Sequence, residues 1–115
     1  MKLRMHSNSV RLRLSQSEVS AVGQGGRVEE RVQFAPDHAL LYSVECAEIL
    51  APEAVFESNS IRVKLPRTDV KQWVETDQTG IEATQGKLRL LVEKDFRCIH
   101  RESPDDADSF PNPLA

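Results

Sequence analysis

The sequence predicts an α+β domain made of two ββαββ repeats related by a pseudo-twofold axis. The first observation is the repeat: residues 7–19 align with residues 58–70 at an offset of 51, with six identities and five conservative pairs. The second is an alternation of apolar and charged residues on both sides of a turn in each copy, which is typical of a β-hairpin. The third is a short helical segment after each hairpin. Together they predict a mostly antiparallel sheet or barrel with two short helices.

The first repeat, residues 1–50, begins with a hairpin whose turn is Ser7-Asn8-Ser9. Ser15 followed by Glu18 forms a capping-box pattern, which predicts the start of a helix. This helix ends at Gly23, because glycine commonly terminates helices. The predicted strands of the repeat are residues 1–5, 10–14, 27–34 and 40–46.

The second repeat, residues 52–97, follows the same plan. Pro66 ends a strand, and Thr68 and Asp69 begin a helix that continues to about Glu75. Gly86 supplies the turn of the last hairpin. The predicted strands are residues 54–57, 61–65, 80–85 and 87–96.

Alternation along the strands predicts which side chains are buried, because successive residues of a strand point to opposite faces. Arg11 and Arg13 of the first repeat, and Arg62 and Lys64 of the second, then lie on the outer faces. Each short helix must pack on the sheet to be stable. The predicted inward side chains are Val10, Leu12, Leu14, Val19, Val22, Ile61, Val63, Leu65, Val70, Trp73 and Val74.

The length of 115 residues predicts a single duplicated domain, residues 1–101, followed by a tail, residues 102–115. The tail is acidic and rich in proline, a composition that cannot form a core by itself. Phe110 is the aromatic anchor by which the tail would dock, either on its own domain or on a partner.

Charge and hydropathy exclude two classes of partner. The net charge is -3, and removing the tail leaves 15 basic and 14 acidic residues, so the basic face of a nucleic-acid binder is not predicted. The apolar runs are too short to span a bilayer, and the N-terminal alternation is unlike a signal peptide. Cys46 and Cys98 are too few for a disulfide framework. These features predict a cytoplasmic protein without membrane or nucleic-acid partners.

The candidate ligand-binding residues are charged side chains on the outer faces of the strands. One interpretation is a solvated face of cross-strand ion pairs, with Glu45 and Glu93 among the carboxylates. The other is a site in which the bases converge on an anionic, phosphorylated ligand. The candidates are Arg11, Arg13, Arg62, Lys64, Glu29 and Glu82.

The duplicated topology and the charged strands resemble the CYTH family, and that resemblance implies a tunnel barrel that binds triphosphate. The chain departs from the family's Glu-x-Glu-x-Lys motif, because residues 1–6 carry bases where the carboxylates would lie. Another weak pattern is Cys98 with His100, which share one strand face but lack the further ligands that zinc needs.

A second resemblance rests on the segments 8–14, 90–100 and 110–113. These are similar to a family of short bacterial proteins of unknown function, and the similarity covers nearly the whole chain. It implies a stand-alone domain in bacteria, and it assigns no activity, substrate or catalytic residue to this chain.

We identify no catalytic residue, metal site or cofactor in the sequence. It therefore favours a non-enzymatic binding or interaction module. The alternative is a CYTH-like enzyme or binder acting on a phosphorylated ligand along the charged face. An unknown protein, a small anionic ligand and a second copy of the chain remain open as partners.

Overall fold

The computed structural model describes residues 1–96, 110 and 111. Within them the chain forms its strands and helices in the order that the repeat predicts, and every boundary lies within two residues of the prediction. The elements are β1 (Lys2–His6), β2 (Ser9–Leu14), α1 (Gln16–Gly23), β3 (Arg27–Ala35), β4 (His38–Ala47), β5 (Glu53–Glu57), β6 (Ser60–Pro66), α2 (Arg67–Glu75), β7 (Gly80–Gln85) and β8 (Leu88–Lys94).

The strands form two open four-stranded sheets and no closed barrel within the described part of the chain. Sheet I has the order β1-β2-β8-β7, and sheet II has the order β3-β4-β6-β5. The outer pairs are antiparallel hairpins. The central pairs, β2 with β8 and β4 with β6, are parallel and join the two repeats. Each repeat therefore contributes one hairpin to each sheet, so the halves interlock.

Local chemistry explains the shared start of each repeat. Ser7 and Ser58 both have a φ of 51°, and Asn59 has a φ of 61°. Tight hairpin turns need this left-handed region, which asparagine tolerates better than most residues. The predicted capping box is confirmed, since the backbone N–H of Ser15 donates to Glu18 Oε1 at 3.0 Å.

The inner faces of both sheets and the two helices form one hydrophobic core. All the predicted inward side chains are buried except Val74, which is half-buried at the edge of the core. The core includes Val44, Ile81, Leu90 and Val92 from the strands of the later hairpins. Each helix alone is too short to be stable in water, so this packing is what holds it.

The chain order places the helices and the hairpin turns at opposite ends of the molecule. Helix α1 follows β2 and α2 follows β6, so both helices lie at one end, where they contact each other. The turns meet at the other end: Arg89 N donates to Asn8 O at 2.9 Å, and Leu41 N donates to Asn59 O at 3.1 Å. In residues 1–96, 110 and 111, neither helix is long and apolar enough to cross a membrane.

Candidate functional site

An apolar cleft lies between the two sheets at the end that carries the hairpin turns. Its volume is about 470 Å³, within the range of small-molecule and side-chain pockets. None of its lining side chains is ionisable. The lining residues are Met5, Val10, Leu40, Ala54, Val55, Phe56, Ile61 and Leu88.

The repeat accounts for most of this lining. Met5 and Phe56 are related by the offset of 51 residues, as are Val10 and Ile61. Leu40 and Leu88 are related through the strand register. Leu40 directly precedes the residue that pairs with the first residue of β6, and Leu88 directly precedes the residue that pairs with the first residue of β2. The cleft therefore lies across the pseudo-twofold axis and presents similar groups from both halves.

The cleft has a closed floor and exposed walls. Val10 and Ile61 are only 9% and 8% exposed, so they connect the floor with the hydrophobic core. Met5 and Phe56 are 58% and 74% exposed. Large exposed apolar groups next to a concave apolar surface are typical of an interaction site.

The two sides of the cleft differ in chemistry. On the side of β5 and β7, Gln85 Oε1 accepts from Ala54 N at 2.7 Å, and Gln85 Nε2 donates to Ala54 O at 2.9 Å. This amide bridges the edges of the two sheets. The repeat-related positions on the side of β1 and β3 hold Leu3 and Val32, whose side chains cannot form such a bridge. At these two positions that side is therefore apolar.

On the outer face of sheet I, the candidate arginines already have a counter-ion. Arg11 Nε and Arg13 Nε lie 2.6 and 2.8 Å from the same atom, Glu93 Oε1. The Arg11 contact is close but not aligned as a hydrogen bond, whereas the Arg13 contact is. Glu82, on the same sheet, lies 3.5 Å from Arg89 Nη2.

On the outer face of sheet II, Arg62 Nη2 donates to Glu45 Oε1 at 3.0 Å. Lys64 lies opposite Glu45 in the strand register. Glu29 Oε1 accepts from Arg27 Nη2 at 2.8 Å. Because the inner faces of both sheets share one core, the four candidate bases lie on two separate outer faces. The structure does not bring them together.

Cys46 is a half-buried free thiol. Among residues 1–96, 110 and 111, no group of three or more His, Cys, Asp or Glu side chains is placed to hold a metal ion. The weak Cys98 and His100 pattern lies outside the described residues, as does most of the tail.

Phe110, the predicted tail anchor, lies against its own domain at the end of β8. Its backbone N–H donates to Asp95 O at 2.7 Å, and its ring centroid is 5.8 Å from that of Phe96. Lys94 Nζ lies 5.2 Å from the Phe110 centroid and donates to Thr76 O at 2.9 Å. This contact is at the helix end, away from the cleft.

We expect the melting temperature of Lys94→Met, relative to that of the wild type, to depend on pH. Lys94 is only 6% exposed, and burial lowers its pKa from the ordinary 10.5, although Asp77 partly opposes the shift. The lowered pKa means that the fold disfavours the charged form, while methionine can occupy the same space without charge. The unfolded chain also holds this proton more tightly than the folded chain. The charged form of Lys94 therefore destabilises the wild-type fold at neutral pH, and this penalty disappears as the pH rises towards 10.5, the ordinary lysine pKa. The melting temperature of the variant, relative to that of the wild type, should fall over the same pH range.

Thermal melts of both proteins across the alkaline range measure this difference. Groups that titrate in both proteins cancel in the comparison. A gap between the melting temperatures that does not change with pH would contradict the assignment to Lys94.

Sequence reasoning did not identify the cleft. In the alternation, Met5 and Phe56 belong to the inward set with Val10 and Ile61, so they resemble core residues. The signal that was present is the repetition of a large apolar residue two positions before each Ser-Asn turn element. Whether that end of the inner face is covered depends on which elements pack at each end of the sheets, and the local pattern does not contain this.

The comparisons with known proteins extend the sequence resemblance. Neither a curated protein nor a solved structure matches the chain at a significant level. One family model does, and it matches residues 1–114, which is nearly the whole length of the chain. The chain therefore belongs to DUF7009, a family of unknown function.

Proposed function

We propose that the protein is a non-enzymatic interaction module whose binding site is the apolar cleft between the two sheets. The observation that carries this proposal is the exposure of Phe56 and Met5, 74% and 58%, beside a floor that is nearly buried. Covering one such side chain contributes about 1.5–3 kcal/mol. The lining has no acid, base or nucleophile, so the cleft is suited to holding an apolar group and not to transforming it.

The anionic-ligand alternative has one observation in its favour. Ser43 Oγ and Arg62 Nε are adjacent in the register, and both are buried without a hydrogen-bond partner. Against it, Glu45 already pairs with Arg62, and Glu29 lies opposite Ser43 in the register. These carboxylates would repel an anion. A saturable thermal shift with tripolyphosphate, lost in Arg62→Ala, would favour this alternative over the cleft.

Titration with the uncharged dye Nile red tests the cleft, with protein dilute enough to be monomeric. We expect saturable binding that Phe56→Ser weakens by at least about tenfold, because the loss of one apolar contact corresponds to about 1.4 kcal/mol or more. Phe56 is largely exposed, so the variant should retain its fold.

The matched control is Leu50→Ser. Leu50 is 103% exposed but lies beside Arg67 and Thr68 at the helix end. Its substitution should leave dye binding unchanged. Dye binding that is not saturable, or that falls equally in both variants, would rule out the cleft as the binding site.

A further inference from the structure

We propose that the occupant of the cleft is a second copy of this chain, in a dimer whose twofold axis runs along the cleft. This inference rests on the proposed function, because it takes the same apolar surface as the binding site. An interface of this kind presents the same patch from both copies, so its chemistry must be self-complementary. The order of the strands, the charges of the turns and the exposed apolar area of this end of the molecule are compatible with that requirement.

The order of the strands determines which strands and turns of the two copies would face each other in the dimer. The Gln85–Ala54 bridge places β7 beside β5, and the contact between the Met1 amino group and Glu30 Oε1 at 3.4 Å places β1 beside β3. An axis along the cleft therefore lays sheet I of one copy over sheet II of the other. The β7–β8 turn of each copy then meets the β5–β6 turn of its partner, and β1 meets β3.

The charges of the turns favour this axis. Lys87 lies exposed in the β7–β8 turn of sheet I, and Glu57 lies exposed at the β5–β6 turn of sheet II. Dimerisation about the cleft axis brings these opposite charges together twice. A twofold axis across the cleft would instead place Glu57 over Asp37, which lies exposed in the β3–β4 turn. Like charges opposed in this way are unfavourable.

The apolar side chains agree with the same arrangement. Met5 on β1 would lie over the β3 strand of the other copy, where Val32 and Phe34 are 39% and 72% exposed. The two Phe56 side chains would lie next to each other in the shared mouth of the cleft. These groups are most of the large hydrophobic side chains exposed on the described part of the chain, and dimerisation would cover them together.

The area indicates a weak, reversible dimer. A large apolar side chain presents about 150–250 Å², so the exposed parts of Met5 and Phe56 with the cleft walls provide roughly 300–400 Å² per copy. A standard interface needs about 800 Å² per partner. The dissociation constant is therefore expected in the micromolar range, and the turns and β3 must supply the remaining contacts.

Sedimentation velocity over a range of protein concentrations tests the inference. We expect a monomer–dimer equilibrium that Phe56→Glu weakens by at least about tenfold, since it places two carboxylates in the apolar mouth. Lys87→Glu and Glu57→Lys should each weaken it as well. Lys71→Glu, which changes an exposed lysine on α2 at the opposite end, is the matched control and should have no effect.

Mixing the two charge variants provides the sharpest result. Lys87→Glu mixed with Glu57→Lys should form a heterodimer at the wild-type concentration, because both intermolecular pairs are then opposite in sign. A pairing within one chain cannot be restored by mixing. A monomer at every concentration, a dimer insensitive to Phe56→Glu, or no recovery on mixing would overturn the inference.

The dye titration separates this inference from the proposed function. Saturable dye binding by a protein that never dimerises would remove the second copy as occupant and leave the cleft as the site. A protein that shows neither saturable dye binding nor dimerisation would rule out the cleft as a binding site and the second copy as its occupant. If both hold, dye affinity should fall as the protein concentration rises, because dye and second copy compete for one surface.

Discussion

Trp73→Ala is expected to lower the free energy of unfolding by about 3–5 kcal/mol, the usual cost of removing a fully buried tryptophan. Trp73 is 0% exposed and lies in the hydrophobic core on α2. Its indole Nε1 donates to Thr79 O at 3.2 Å, which holds the segment between α2 and β7. The residue related by the repeat is Val22, which is also fully buried on α1. One large and one smaller side chain thus occupy repeat-related positions in the hydrophobic core.

Urea denaturation followed by circular dichroism measures this loss, since the variant lacks the single tryptophan. A domain of this size is stable by about 5–15 kcal/mol, so the substitution should remove a large fraction of the total stability. Leu50→Ala, at a fully exposed position, is the control and should change stability by less than about 0.5 kcal/mol. Similar midpoints for both variants would mean that Trp73 is not packed in the core.

Glu93→Gln should cost more stability than Glu45→Gln, although the two glutamates occupy related positions on β8 and β4. Glu93 Oε1 is the counter-ion of both Arg11 and Arg13, whereas among the described residues Glu45 forms an ion pair with Arg62 alone. Neutralising Glu93 leaves two guanidinium groups side by side. We expect a loss of roughly 1–2 kcal/mol, limited by the exposure of the arginines to solvent.

Chemical denaturation of both variants at low and high salt tests this prediction. The excess cost of Glu93→Gln should shrink as salt screens the repulsion between Arg11 and Arg13. Equal losses in the two variants, independent of salt, would contradict the shared counter-ion. Such a result would leave cross-strand packing as the contribution of both glutamates.

The strands and helices could be predicted because their signals are local. The Ser-Asn turns, the Ser15 and Glu18 capping box and Pro66 each act within a few residues of the chain. The alternation along β2 and β6 then determined which side chains face the core, since a strand has a period of two. The repeat added that both halves have the same plan.

The pairing of the hairpins could not be predicted in this way. The partner of β2 is β8, and the counter-ion of Arg13 is Glu93, 80 residues away in the chain. In the structure, each sheet contains one hairpin from each repeat. The local sequence pattern is equally compatible with an arrangement in which each repeat forms a sheet of its own. The exchange of hairpins between the repeats places Arg11 and Arg62 on different sheets, which the motif they share does not indicate.

The sequence by itself determined the duplicated α+β plan, the element boundaries and the inward and outward faces, because these depend on turns, caps and periodicity. Only the tertiary structure decided that the repeats interlock through parallel central strands and that the sheets stay open. It also decided that Met5 and Phe56, inward by periodicity, lie uncovered at the turn end. The physical reason is that both helices pack at the opposite end, so no element among residues 1–96, 110 and 111 covers the inner face between the turns.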